Sequence, residues 1–393
     1  MTVVSEKVRH LPPYLFAKFQ QKKKEKQKQG IDVIDLGIGA PDLPTPDFII
    51  EKFIEEVRKP ENHRYSPYSG CTEFREAVAL FYEKKYGVKL DPEKEVLALI
   101  GSKEGIANLI QALINPGESV LIPNPGYPVY RTAVHLAEGK IVGLPLDENN
   151  GYVPNFSQLS ETTKQQAKLM LLNYPSNPTS ATVDLSTYLK TVSFAKENDI
   201  LVANDMAYDL ITFGNYQSPS ILQTPDAKEF AVEFGSLSKS FNMTGWRIGY
   251  VVGNEEIIHA LSSLKSNIDS SQFLATQKAA AYALSSDLKE VQNHCKIFEA
   301  RMEKLYDALT GMGFHVEKPR GTIFLWVKVP QGFTSTSFSE KLLEKIGIIV
   351  TPGIAFGSLG EGYIRISLSV STTRLDEVIS RLKSIDRKGE DPI

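Results

Sequence analysis

Lys239 closes the stretch Ser236-Leu237-Ser238-Lys239 and stands eight residues before Arg247. Apolar runs lie on either side, at 232–234 and 247–252. Lysines are mostly exposed, but Ser, Gly and aromatic flanks between two apolar runs put this side chain in a cleft. A desolvated lysine loses its proton and can attack a carbonyl to form a Schiff base. The hydroxyls of Ser236 and Ser238 and the planar fork of Arg247 suit a phosphate. Asp205, in Asn204-Asp205-Met206-Ala207-Tyr208, directly follows the apolar run 200–203. In a parallel sheet the carboxyl end of a strand faces the ligand crevice. Asp205 there either caps a helix or holds a heteroaromatic nitrogen protonated. One charge pair at ~4 Å and an effective dielectric of ~20 is worth about 4 kcal/mol. That would raise a ring-nitrogen pKa by roughly three units before desolvation. A ring kept positive stabilises a carbanion beside a Schiff base.

Other stretches carry weaker signals. Gly101-Ser102-Lys103-Glu104-Gly105 joins a strand to a helix, with Ser102 as a plausible N-cap. It reads as a plain capped turn or as an anion site built from first-turn amides. No P-loop pattern is present. Asn173-Tyr174-Pro175-Ser176-Asn177-Pro178 is a rigid turn, in which Asn177 is either a turn residue or an amide donor to a ligand oxygen. Asn124-Pro125-Gly126-Tyr127-Pro128 offers Tyr127 as a stacking face. Arg365 lies inside the apolar strand Ile364-Arg365-Ile366-Ser367-Leu368. It faces solvent, or it is buried and needs a partner such as a substrate carboxylate.

These residues require a scaffold that brings strand ends together. Short apolar runs at 96–100, 119–122, 141–146, 169–172, 200–203, 231–234 and 248–252 do not alternate, as strands buried on both faces should not. Helical patterns at 48–58 (with Thr45 as cap and Pro46 at the first helical position), 72–86, 103–114, 185–197 and 255–264 lie between or after them. The class is α/β with a mostly parallel sheet. After about residue 285 the texture changes to a separate α+β unit. Its helices are expected at 288–309, 338–346 and 374–385, and its strands at 323–329, 348–350 and 364–370. Near the N-terminus, Lys18, Lys22, Lys23, Lys24, Lys26 and Lys28 read as a solvated helix face. The apolar arm 11–16 before them is expected to lie against another domain or subunit.

Length and composition bound the function. The 393 residues allow two to three domains. Hydrophobic residues at 42% and charged residues at 23% are ordinary for a soluble globular chain. A net charge of −3 argues against nucleic-acid binding. Cys71 and Cys295, the two cysteines, argue against a disulfide framework and point to a reducing, cytoplasmic compartment. No apolar run is long enough to cross a bilayer, so no membrane association is expected.

Together the residues resemble the fold-type I, pyridoxal-phosphate-dependent aminotransferases of class I/II. The carriers are Asn173–Pro178 with Asn177, Asp205 with Tyr208, Ser236-x-Ser238-Lys239, Arg247 and Arg365. The resemblance implies a large domain with a mostly parallel seven-stranded sheet sandwiched by helices, at 46–285. A smaller α+β domain would be formed by 1–45 and 286–393. It gives Lys239 as the lysine that joins the cofactor and moves the proton, and Asp205 as the partner of the ring nitrogen. Tyr208 and Asn177 would bind the cofactor's 3-oxygen. Ser102, Lys103, Ser236, Ser238 and Arg247 would form the phosphate cup, with Tyr127 stacked on the ring. Arg365, with Asn177 and Gly39 of the closing loop, would bind substrate. Tyr65 would reach the neighbouring subunit's phosphate, which requires a homodimer. No metal is implied. The amino group would pass from an amino acid to a 2-oxo acid, most often 2-oxoglutarate.

Further stretches are similar to the LL-diaminopimelate aminotransferases of lysine and cell-wall precursor synthesis. They include Leu43-Pro44-Thr45-Pro46, Pro60-Glu61-Asn62-His63, Asn242-Met243-Thr244-Gly245-Trp246-Arg247 and Leu264-Lys265-Ser266-Asn267-Ile268-Asp269-Ser270. Asn267 and Asp269 would read the substrate's second amino-carboxylate end. The chain departs from the family pattern at Ser180-Ala181 and Asp209-Leu210. The stretch 265–271 has no arginine, which disfavours the dicarboxylate-specific aspartate type. Enzymes acting on aspartate, alanine, methionine or aromatic amino acids share this framework. A ligand-sensing regulator on the same fold would need an added DNA-binding domain.

Overall fold

In the computed structural model, which describes residues 3–11 and 15–385, seven strands form the main sheet. With β1 (Ile34–Asp35) preceding them, they are β2 (Val96–Leu99), β3 (Ser119–Asn124), β4 (Lys140–Pro145), β5 (Ala167–Asn173), β6 (Leu201–Asp205), β7 (Ala231–Ser236) and β8 (Gly249–Gly253). Their spatial order is β2-β8-β7-β6-β5-β3-β4. Pairs among β3 to β7 are parallel, whereas β8 runs antiparallel to both β2 and β7. The expected mostly parallel sheet is therefore present, with one reversed strand. That reversal brings the start of β8 to the same sheet edge as the ends of its neighbours.

Successive strand residues point to opposite faces, and both faces are covered. Leu97, Leu99, Leu169, Leu171, Val232 and Phe234 pack with the helices Ser102–Leu113, Pro128–Leu136 and Glu255–Lys265. Val96, Ala98, Met170, Leu172, Val202 and Val252 pack on the other side, with the helices Thr72–Tyr86 and Leu274–Leu284. Burial on both sides explains the unalternating apolar runs. Gly87, in the left-handed conformation at φ 68°, ends the helix Thr72–Tyr86.

A third core joins both ends of the chain to Ala207, Tyr208, Ile211 and Phe213. Ile34 and Leu36 pack with residues of the helix Lys289–Gly311, with β9 (Phe324–Lys328), and with β12 (Tyr363–Ser367) and the helix Thr372–Lys383. β1 pairs in parallel with β10 (Ile348–Ile349). β11 (Thr351–Pro352), β12 and β9 form an antiparallel sheet in that order.

Three expectations are corrected. Pro46 is the N-cap of the helix Asp47–Val57 rather than its first residue, and the Thr45 hydroxyl donates to Asn242 O at 2.8 Å instead of capping. Gly101, at φ 79°, occupies the N-cap of Ser102–Leu113, so Ser102 opens that helix. The lysine-rich helix Leu15–Lys28 is not simply a solvated face. Lys22 and Lys26 pair with Glu340 and Glu344, and Lys23 with Asp35 at 3.0 Å. The acidic partners on the helix Ser335–Ile346 neutralise one side of the run. The expected packing of Pro12, Pro13 and Tyr14 lies outside the described residues.

The turn before β12 is tight. A Cβ on Gly353 would fall 1.9 Å from Gly360 O and 2.7 Å from Tyr363 O, both backbone atoms. Gly353→Ala is expected to cost about 1–3 kcal/mol through overpacking, read as a lower urea midpoint. A midpoint equal to wild type would contradict this packing.

Candidate functional site

Five loops converge at the carboxyl edge of the sheet, where strand order and direction leave a crevice. The cavity there has a volume of about 660 Å³. Its lining holds Gly39, Ser102, Lys103, Tyr127, Asn177, Asp205, Tyr208, Ser236, Ser238, Lys239, Arg247 and Arg365. Every residue expected for the subunit's own cofactor site is thus assembled, and Tyr65, expected to reach the neighbouring subunit's site, lies outside this cavity at 91% exposure. Asn267 and Asp269 do not line it. Asp269 instead accepts from the fully buried Lys265 at 2.6 Å, and Asn267 donates to Ser263 O at 2.9 Å.

Asp205 is the last residue of β6 and is buried. Burial penalises its charged form and pushes its pKa up to about 6, although the Tyr130 hydroxyl donates to its Oδ2 at 2.7 Å and pulls the other way. Its own carbonyl accepts from Asn173 Nδ2 at 2.8 Å, and Asn173 Oδ1 in turn accepts from Asn177 N at 2.8 Å. Lys239 stands in the short helix Leu237–Ser240 and donates to Gly39 O at 2.7 Å. Desolvation, with the positive charges of Arg365 and Arg247, brings its pKa down to about 8.

Arg247 adopts a left-handed backbone at φ 53° and donates to Thr244 O at 2.9 Å. Its guanidinium packs so closely on Gly101 that a Cβ there would lie 2.3 Å from Nη2. Glycine at 101 therefore leaves room for the Arg247 guanidinium. Ser236 Oγ accepts from Ser238 N at 3.2 Å.

The open alternative for Arg365 resolves to burial, at 2% exposure. It donates to Asn177 Oδ1 at 2.6 Å and to Gly37 O at 2.7 Å. Since arginine only donates, Asn177 must present its oxygen to Arg365 and its amide nitrogen elsewhere. The rings of Phe324 and Phe356 lie 4.2 and 4.9 Å from the guanidinium carbon.

Sequence reasoning missed Tyr130, Phe324, Phe356, Asn173 and Thr244. Tyr130 had a usable signal, because Tyr127 and Tyr130 are three apart at the start of one helix. The two phenylalanines had none.

A molecule that is anionic at one end and carries a cationic aromatic nitrogen at the other fits this cavity. Arg247 and the serines suit its anion. Asp205, raised by burial, is offset by a cation beside it, and Lys239 has an amine ready to react with a carbonyl.

Comparison with known proteins agrees. The family Aminotransferase class I and II matches residues 31–382. An LL-diaminopimelate aminotransferase from Moorella thermoacetica is 45% identical over 98% of this chain and 99% of its own. Another from Aquifex aeolicus is 47% identical over 97% and 98%. The substrate-bound structure of BacF from Bacillus subtilis superposes with a TM-score of 0.93 at 39% identity, covering 98% of each chain. The chain belongs to the class I and II aminotransferases. It is a pyridoxal-phosphate-dependent transaminase that moves an amino group from an amino acid to a 2-oxo acid.

Removing the Tyr130 hydroxyl should leave Asp205 harder to ionise. Its pKa then rises further, and the ionised form is lost at a higher pH. Tyr130→Phe is expected to move the acid limb of the kcat–pH profile upward and to lower kcat at neutral pH by roughly tenfold, the scale of one hydrogen bond to a charged group. A profile that overlays wild type would count against the contact.

Proposed function

We propose that Lys239 carries the cofactor and moves the substrate α-proton, with Asp205 holding the ring nitrogen. The observation that carries this reading is the burial of the Lys239 amine and the Asp205 carboxyl in one cavity with Arg365. Pyridoxal phosphate supplies an electron sink for the carbanion formed at the substrate's Cα. Ser102, Lys103, Ser236, Ser238 and Arg247 hold its phosphate. Asn177 and Tyr208 bind its 3-oxygen, and Tyr127 stacks on its ring. Arg365 orients the substrate α-carboxylate through its paired N–H groups. The freed Lys239 amine then takes the α-proton as general base. Gly39 faces the substrate across the cavity.

The preferred donor is LL-diaminopimelate and the acceptor 2-oxoglutarate, supported by relatives of that name at 45% and 47% identity over nearly the whole chain. A donor with an uncharged side chain (methionine, alanine or an aromatic amino acid) is the second reading. Beyond Arg365 the cavity presents Ile38 and Ala40, and Asp205 is the one carboxylate among its described lining residues. The working form is a homodimer in the cytoplasm, with Tyr65 of each subunit reaching its partner's site. The exposure of Tyr65, Tyr68, Ile268 and Phe273 supports such an interface. The chain divides into 46–285 around the main sheet and a smaller part made from 1–45 and 286–393.

A panel of amino acids offered with 2-oxoglutarate tests the substrate. Glutamate should form fastest with LL-diaminopimelate. Strong activity on another donor with none on this one would reject the sharper reading.

Lys239 also sets a pH dependence. With a pKa of about 8, about a quarter of the amine is neutral at pH 7.5, against about 0.1% for an ordinary lysine. Covalent uptake of pyridoxal phosphate, followed by its visible band, should quicken with rising pH to a midpoint near 8. Lys239→Ala should show no such band. A midpoint near that of free lysine would exclude the assigned role.

A further inference from the structure

The segment 36–45 borders the cavity, and its fixings can be traced one by one. At its start, Leu36 N donates to Ile349 O and Ser367 N donates to Leu36 O, each at 2.8 Å. Gly37 O accepts from Arg365 Nη2 at 2.7 Å and from Thr351 Oγ1 at 3.0 Å. At its end, Pro44 O accepts from Asn242 Nδ2 at 3.2 Å, and Thr45 bonds Asn242 O. The span 38–41 lies between, with Ile38 42% exposed. Its Gly39 carbonyl holds the Lys239 amine, and its Gly39 Cα packs so near Phe324 that a Cβ would lie 2.7 Å from the ring.

One further contact ends this span. Arg301, on the helix Lys289–Gly311 and only 4% exposed at its side chain, grips Asp42 with both outer nitrogens. Nη1 reaches Oδ1 at 2.6 Å and Nη2 reaches Oδ2 at 3.1 Å. Nη1 also donates to Leu368 O at 3.2 Å, just beyond β12. A guanidinium this buried is tolerated only when paired, and two parallel bonds fix direction as well as distance. Asp42 is therefore tied to the strand that carries Arg365. The span 38–41 is short, so pinning both ends fixes the height of the Gly39 carbonyl over Lys239.

We propose that Asp42 and Arg301 are positioning residues for substrate binding. They hold the span 38–41 so that Gly37 O, Gly39 O and the cavity wall at Ile38 stay registered to Arg365 and Lys239. Neither residue lines the cavity or touches the reacting atoms. The inference rests on the aminotransferase reading of that cavity.

The test uses holoenzyme, with the best donor of the panel and 2-oxoglutarate. It adds a spectral titration with the α-methyl analogue of that donor, which binds but has no α-proton to lose. Asp42→Asn should raise the KM of the donor and the Kd of the analogue by roughly tenfold, below the ~10²-fold that a 1 Å misplacement can cost. The affinity for pyridoxal phosphate should match wild type and kcat should stay within about twofold, while the melting temperature falls because the buried Arg301 loses its charged partner. Arg301→Lys keeps the charge but loses the fork and should move KM in the same direction. Asp42 is partly exposed, so Asp42→Asn serves if the arginine variant fails to fold. Unchanged KM and Kd in Asp42→Asn would overturn the proposal. So would a parallel loss of cofactor affinity, which marks a merely structural pair. A wild type that transfers no amino group sinks the aminotransferase reading together with the inference, whereas an active wild type with unmoved variants sinks the inference alone.

Discussion

Burial drives the Asp205 carboxyl and the Lys239 amine in opposite directions on the pH scale, and both toward neutrality. Water would undo this within a few ångströms, so the surrounding structure has to keep two ionisable groups dry and still accessible to a ligand. The sheet does so by ending its strands at one edge. Asp205 closes β6, Ser236 closes β7, and the turns after β2, β3 and β5 bring Ser102, Tyr127 and Asn177 to the same place. The reversed β8 begins where its neighbours end, which adds Arg247. A purely parallel sheet would have sent that residue to the far edge.

The polar contacts behind the cavity form chains rather than isolated pairs. Asn177 leads to Asn173, Asn173 to the backbone of Asp205, and the Asp205 carboxyl to Tyr130. Deeper in the core, Glu233 is fully buried and makes no ion pair among the described residues. It is held instead by Tyr82, Asn204, Ser220 and the amide of Ile221. Burial raises its pKa, and the donors oppose the rise. The bond from Asn204 Nδ2 to Glu233 ties β6 to β7 inside this network, although Asn204 Oδ1 finds no partner among the described residues.

Much of the site was legible from sequence because lysine, aspartate and arginine at the ends of buried strands are costly and therefore conspicuous. The sheet was legible because burial on both faces removes polar residues from the strands. What stayed hidden depends on partners distant in the chain. Lys22 and Lys26 looked solvated because Glu340 and Glu344 lie more than three hundred positions away. Arg301 gave no sign of Asp42, and nothing local marked Phe324 and Phe356 as the rings flanking Arg365. The capping errors at Thr45 and Ser102 have another cause. In each case a tertiary contact or a left-handed glycine took the place that local propensity assigned to a side chain.

The parallel pairing of Ile34 with Ile348 has a consequence for how the molecule comes into being. During synthesis the main sheet can close once β8 has left the ribosome, since all seven of its strands are then available. The segment carrying Gly37 and Gly39 must wait, unpaired, for the strands that will hold it. Contacts of such sequence separation form late and slowly. The wall facing Arg365 is therefore completed only after both termini have been made, so a truncated chain could collapse its sheet and still lack the pocket that recognises a carboxylate.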